Sequence, residues 1–190
     1  MSNIHTISHD YAVNGRSIEI EGYIAKSVAW CIANIGVPTS VLDVGADYGH
    51  ALHLFRTEGT ERVKGLELYG ESGNPHNLEI ARENIEDPLL FNKLGGEHFD
   101  LVFVNHVLEH LTNPYFFMGT MRQLKPKFIY IGVPECRDDW AYWDCHYTIW
   151  NERFLTHFMK LNNFELVASN VTALRPGKTE LWGLYKPTGV

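Results

Sequence analysis

Cysteine is scarce in this chain and poorly placed to support structure. Cys31, Cys136 and Cys145 are the three present, an odd number at irregular spacing without a Cys-x-x-Cys pair. That excludes a disulfide framework and points to a reducing compartment with buried or idle thiols. Long apolar runs are also missing, and none approaches the ~18 residues that would span a bilayer. Residues 2–14 have neither a basic leader nor an apolar core, so no signal peptide is expected. The third absence is clustered basic charge. Sixteen Lys and Arg against 23 Asp and Glu give a net charge of −7, and the basic residues are scattered. Phosphate binding depends on basic clusters, so no nucleic-acid partner is expected. What remains is a soluble, cytoplasmic protein handling a small molecule or a protein. Its oligomeric state is not encoded in any recognisable pattern.

Apolar and aromatic residues are plentiful. In 190 residues, 45% hydrophobic, there are ten Phe, nine Tyr and five Trp. A chain of that size buries roughly 70% of its unfolded surface, enough for one domain without a metal or crosslink. The whole of 1–190 is therefore expected to form one domain, with residues 1–15 as a loose arm.

Apolar residues Ile20, Ile24, Val28, Ile32 and Ile35 fall on one helical stripe across residues 17–35, closed by Gly36 and Pro38. Short apolar runs at 41–44, 63–68, 99–104 and 128–133 read as buried strands. Helices are expected at 49–58, from Asn113-Pro114 to about 124, and at 151–161. Runs at 164–173 and 180–185 around Arg175-Pro-Gly177 read as a hairpin. Between 69 and 97 the pattern is ambiguous. Asn74-Pro75 opens a helix to Ile85, with Leu78, Ala81 and Ile85 inward, or else 78–81 is a short third strand; the helix is favoured. Strands alternating with helices before a closing hairpin give an α/β fold. It is a doubly wound, mostly parallel seven-stranded sheet with a C-terminal antiparallel hairpin, and an abbreviated third strand is allowed for. Ligands bind beyond the carboxyl ends of such strands, where Gly45, Glu67, Asn105 and Pro134 converge.

The run Val-Leu-Asp-Val-Gly-Ala-Asp-Tyr-Gly-His (41–50) breaks a strand into a glycine turn and reopens as a helix. Glu67, eighteen residues past Gly49, stands where a carboxylate can bond ribose hydroxyls. Ala46 and Tyr48 occupy places where a nicotinamide fingerprint wants glycine and open space. Together with Gly-Leu-Glu (65–67), the string Phe-Asp-Leu-Val-Phe-Val-Asn-His-Val-Leu-Glu-His-Leu (99–111) and the Val-Pro-Glu ending of 128–135, this chain resembles the class I S-adenosylmethionine-dependent methyltransferases over about residues 20–185. It is most similar to their small-molecule branch.

The resemblance implies a Rossmann-like methyltransferase fold and S-adenosylmethionine as cofactor. The reaction is in-line displacement of the methyl group onto an acceptor the sequence does not identify. It also implies that Asp43 orients the glycine loop, that Gly45, Ala46 and Gly49 approach the methionine portion, and that Asp47 meets its ammonium. Glu67, beside Leu68, would hold the ribose; Glu86 or Asp87 would take the adenine amino group; Asn105 would lie near the sulfonium. His106 and His146 are candidate general bases, imidazole titrating near pH ~6.5.

No metal is expected. His106 and His110 are four apart without a third ligand, and Cys136, Cys145 and His146 lack a fourth. The aromatic stretch 135–150 reads either as a substrate-facing lid or as ordinary packing. Two rivals remain open: another adenosyl- or nicotinamide-cofactor enzyme of the same architecture, such as an aminopropyl transferase, and a catalytically silent methyltransferase-like binding subunit.

Overall fold

Three strands of this protein are apolar almost throughout because both of their faces are covered. The computed structural model describes residues 17–68 and 75–189. The N-terminal arm expected at 1–15 and Asn74 of the expected helix cap lie outside them. Helix α1 (Ser17–Ile35) leads to β1 (Ser40–Val44), α2 (His50–Thr57), β2 (Arg62–Glu67) and β3 (Ile80–Arg82). Then come α3 (Leu90–Lys93), β4 (Leu101–Asn105), α4 (Pro114–Leu124), β5 (Phe128–Pro134), α5 (Glu152–Leu161), β6 (Phe164–Arg175) and β7 (Lys178–Pro187). One sheet runs β3-β2-β1-β4-β5-β7-β6. Its first five strands are parallel, and β7 pairs antiparallel to both β5 and β6.

The strand period of two sorts side chains into two apolar layers. On β4, Val102 and Val104 join the layer under α4 and α5, with Met118, Met121 and Phe158. Leu101 and Phe103 join the opposite layer, with Val28 and Cys31 of α1 and Leu52 and Phe55 of α2. Phe103 stacks on Tyr130 at 4.4 Å and meets Phe55 edge-on at 5.5 Å. Asp43 falls on the α1/α2 side of β1, between Leu42 and Val44, and is almost fully buried.

Helix starts follow their caps. Asn113 Oδ1 accepts from Phe116 N at 3.1 Å with Pro114 in the first helical position, and Asn151 Oδ1 accepts from Phe154 N at 2.9 Å. The expected boundaries of α4 and α5 stand.

The region 69–97 departs from the favoured reading. No helix spans 75–85; residues 80–82 form the short edge strand β3, Gly65 to Glu67 facing Ile80 to Arg82. Leu78 and Ile80 belong to the α1/α2 layer, whereas Ala81 and Ile85 pack on the other. Alternation of that kind belongs to a strand; a helix would put Leu78, Ala81 and Ile85 on one face. One further turn of helix, α3, had no signal in the sequence.

Candidate active site

The carboxyl ends of β2, β1, β4 and β5 lie side by side, and the sequence-predicted residues at Gly45, Glu67, Asn105 and Pro134 meet along that edge. The turn after β1 is held by its backbone. Gly45 N and Ala46 N both donate to Leu66 O, at 2.8 and 2.9 Å, and Gly49 N donates to Ala46 O at 2.7 Å. Gly45, Asp47 and Gly49 take positive φ values of 78°, 45° and 79°. A β-carbon on Gly45 would overlap Cγ2 of Val107, and one on Gly49 would press Leu78 at 3.1 Å. The turn therefore lies close under the chain after β4, and only glycine combines that approach with that φ. No side chain caps the start of α2.

Three carboxylates gather around this turn. Asp47 N donates to Glu67 Oε2 at 3.0 Å. Burial, reinforced by the charges of Glu67 and Asp47, pushes Asp43 up to about 8. Burial and then Glu67 push Asp47 up to about 6. No cation among the described residues pairs with Asp43 or Asp47. Such a group of acids is built to meet positive charge.

The other half of the edge is neutralised internally. His106 has φ 54° and donates its backbone N–H to Gly132 O at 2.8 Å. Its ring lies between two buried carboxylates: Nδ1 bonds Glu109 Oε1 at 3.0 Å and Nε2 bonds Glu180 Oε1. Glu180 Oε2 also accepts from Trp182 Nε1 at 2.7 Å. Burial alone would lower His106; the charges of Glu180 and Glu109 outweigh it and hold the imidazole up to about 10. Burial opposes ionisation of Glu109, but the His106 hydrogen bond and charge hold it below the usual carboxylate range. An imidazolium with both nitrogens donating has no lone pair to receive a proton. The general-base part expected of His106 does not suit this arrangement. Sequence reasoning missed Glu109 and Glu180; the available signal was an acid at 180 opening the apolar run 181–185 of a buried strand.

The remaining candidates separate. Asn105, ending β4, accepts from Tyr130 Oη at 3.2 Å and stays on the edge. Leu68 O, just past β2, accepts from Arg82 Nε at 3.3 Å. Glu86 commits Oε1 to Thr112 Oγ1 and Asn113 N, both at 2.8 Å. Asp87 accepts from Leu89 N at 2.8 Å and pairs with Lys93 at 2.9 Å, and that hydrogen bond with Lys93 lowers its pKa. Both acids thus already hold local partners, and β3 ends four residues before Glu86. His146 lies across from His110, ring centroids 4.8 Å apart, and burial lowers its pKa. The aromatic stretch divides: Trp140 and Trp150 are buried, while Tyr142, Trp143 and Tyr147 are exposed. Lys178 Nζ sits over the rings of Trp140 and Trp143 at 4.9 and 4.6 Å.

Comparison with known proteins agrees with this geometry. The family of methyltransferase domains matches residues 18–169. Among solved structures, the Burkholderia thailandensis 1,6-didemethyltoxoflavin-N1-methyltransferase, with its acceptor and S-adenosylhomocysteine bound, superposes with TM-score 0.77. It is 18% identical over 98% of this chain and 88% of that one. A magnesium protoporphyrin IX methyltransferase from Synechocystis PCC 6803, with S-adenosylhomocysteine, gives 0.70 at 12% identity over 90% and 84%. An S-adenosylmethionine-dependent methyltransferase from Archaeoglobus fulgidus gives 0.68 at 15% over 87% and 94%. No curated protein matches the sequence. A family match over most of the chain, on a sheet of this order with a glycine turn and acidic ends on its first two strands, places the protein in the methyltransferase-domain family, with the class I S-adenosylmethionine-dependent fold.

Proposed function

We propose that this protein moves a methyl group from S-adenosylmethionine to a small-molecule acceptor. The observation that carries the reading is the acidic group Asp43, Asp47 and Glu67 around the glycine turn. Two of its members are held partly protonated by mutual repulsion and burial. S-adenosylmethionine fits it in charge, bringing a sulfonium and an ammonium, and its carboxylate suits the uncapped start of α2.

On this reading Gly45, Ala46 and Gly49 clear space for the methionine portion, Asp47 meets the ammonium, and Glu67 beside Leu68 holds the ribose. The chain past the ends of β2 and β3, at Leu68 and residues 84–87, would hold the adenine. When bound, the cofactor supplies an electrophilic methyl group. The chain contributes alignment and exclusion of water, with Asn105 at the acceptor side. His106 acts as a fixed positive post that positions Asn105 and Val107. A base is needed only for an acceptor that carries a proton, and His106, with both ring nitrogens engaged, does not suit that part. Exposed Tyr142, Trp143 and Tyr147 give the segment 135–150 the character of a lid over a small-molecule acceptor; the Burkholderia thailandensis enzyme has 1,6-didemethyltoxoflavin bound.

Titration calorimetry tests the cofactor site. Wild-type protein binds S-adenosylmethionine and its demethylated product, and Glu67→Gln weakens binding by about 1.5–3 kcal/mol, the scale of a charge-assisted hydrogen bond. Equal affinity in the variant removes Glu67 from the ribose.

A further inference from the structure

The sequence offers two donor groupings, His106 with His110 and Cys136 with Cys145 and His146, and folding draws one set from both. His110, Cys145 and His146 each bring one donor atom, and the three lie within 4.8 Å of one another. They come from two segments that leave the carboxyl edge separately: His110 from the single turn Leu108–His110 after β4, and Cys145 and His146 from the chain after β5.

Three features make this more than a chance meeting of side chains. First, the rings are oriented from behind. His110 Nδ1 faces Cys145 O at 2.9 Å and His146 Nδ1 faces Ala141 O at 3.3 Å. A carbonyl only accepts, so each Nδ1 carries the proton and each Nε2 keeps its lone pair, the usual preparation of a metal-binding imidazole. Second, the backbone clamps the two segments together. Tyr147 N and Thr148 N donate to Glu109 O at 2.7 and 3.2 Å, and Thr148 Oγ1 donates to Leu108 O at 3.1 Å. Third, a buried negative charge stands behind the cluster. Glu109 Oε1 lies 4.0 Å from His110 Nε2, and Glu109 Oε2 is buried with no hydrogen-bond partner among the described residues. An orphaned buried carboxylate oxygen is costly unless something positive reaches it.

We propose that His110, Cys145 and His146 bind a divalent transition-metal ion of the zinc class, with the Glu109 carboxylate as fourth ligand or as the counter-charge beside it. Two imidazoles and a thiolate suit zinc, and a set with one thiolate and no free carboxylate pair suits neither magnesium nor calcium. Zinc bonds of ~2.0–2.3 Å put tetrahedral donors roughly 3.3–3.8 Å apart, so side-chain shifts within about 1 Å close the site. Binding forms one sulfur–metal bond and releases the thiol proton to solvent. The ion would pin the loop after β5 to the loop after β4 on the acceptor side, fixing the aromatic segment. This inference rests on the donor cluster alone and stands apart from the cofactor assignment.

The test uses the full chain, purified and stripped with chelator, then titrated with cobalt(II) and with zinc. Wild type takes up one ion per chain, cobalt gives a thiolate charge-transfer band with intense visible absorption, and zinc raises the melting temperature while magnesium leaves it unchanged. Cys145→Ser loses the charge-transfer band, His146→Ala and His110→Asn each weaken uptake at least tenfold, and Cys136→Ser behaves as wild type. Circular dichroism of the metal-free variants confirms that they remain folded, and all four altered positions are partly exposed. No stoichiometric uptake, or uptake that survives both Cys145→Ser and His146→Ala, or a thiolate band lost with Cys136 instead, overturns the proposal.

Discussion

The two halves of the carboxyl edge treat acid in opposite ways. Beside β1 and β2, buried Asp43 and exposed Asp47 face other acids and are pushed up to about 8 and about 6. Beside β4 and β7, Glu109 and Glu180 are as deeply buried as Asp43, at 1% and 2% exposure, but they share an imidazolium between them. In one half no cation among the described residues pairs with Asp43 or Asp47. The other has neutralised its acids within the fold and gained rigidity. Low interior dielectric makes both arrangements strong, and whether a partner is built in separates a binding surface from a scaffold.

Removing the built-in partner should have the largest effect. His106→Asn leaves two buried carboxylates without their cation, and a broken buried pair costs about 3–5 kcal/mol. Urea unfolding at pH 7 reads this directly; a loss under about 1 kcal/mol would make His106 an ordinary loop residue. Adding Glu180→Gln should restore part of the loss, since the two changes share one interaction. The pH profile follows from the same shifts. His106 is raised, so its contribution is complete below the unfolded value near ~6.5 and fades as pH climbs to about 10. Glu109 is lowered, so its share is present above ~4.5 and fades as the solution becomes more acidic. The contribution of the His106 cluster should thus be fullest between ~4.5 and ~6.5, and His106→Asn should remove its part of the alkaline decline.

Next in size is the response of the open half to its ligand. A bound sulfonium favours ionised Asp43 and Asp47, so affinity for S-adenosylmethionine should rise between pH 5 and 7.5, by up to about tenfold per unit where one group is released. Above that window the ligand's own ammonium, near ~8, begins to titrate. S-adenosylhomocysteine has no sulfonium and should show a shallower slope. Parallel slopes in calorimetry would mean that the acids do not feel the sulfonium charge.

Legibility in the sequence followed the same division. Local features were readable: the glycine turn, Glu67 at the end of β2, the asparagine caps of α4 and α5, and strands continuous in apolar residues because both faces are covered. What depended on distant partners was not. His106 could be placed at the mouth of the site, but its state is set by Glu109 three residues on and Glu180 seventy-four residues on. Strand β3 is three residues long and takes its identity from pairing with Gly65 to Glu67; Leu78, Ala81 and Ile85 imitate a helix because two opposite core layers happen to claim them. The partners of the expected adenine acids were hidden for a similar reason: Glu86 meets Thr112 and Asn113 from a distant loop, and Asp87 pairs with Lys93.

The smallest predicted effect separates the two halves most cleanly, because it has the opposite sign. Asp43 keeps its proton up to about 8 in the fold. In the unfolded chain it loses that proton near ~3.9. Between those values the unfolded state gains by ionising and the folded state cannot, so Asp43 lowers stability as pH rises from 4 to 8. Asn in its place resembles the protonated acid in shape and removes that disadvantage. Asp43→Asn should therefore stabilise the cofactor-free protein by about 0.5–2 kcal/mol at pH 8, with the gain shrinking toward pH 4, while S-adenosylmethionine binding falls. Neutralising an acid in the other half, as in Glu180→Gln alone, should destabilise the fold at the same pH. A loss of stability in Asp43→Asn at pH 8 would mean that the fold itself uses the Asp43 charge, and the contrast between an open and a closed half would fail.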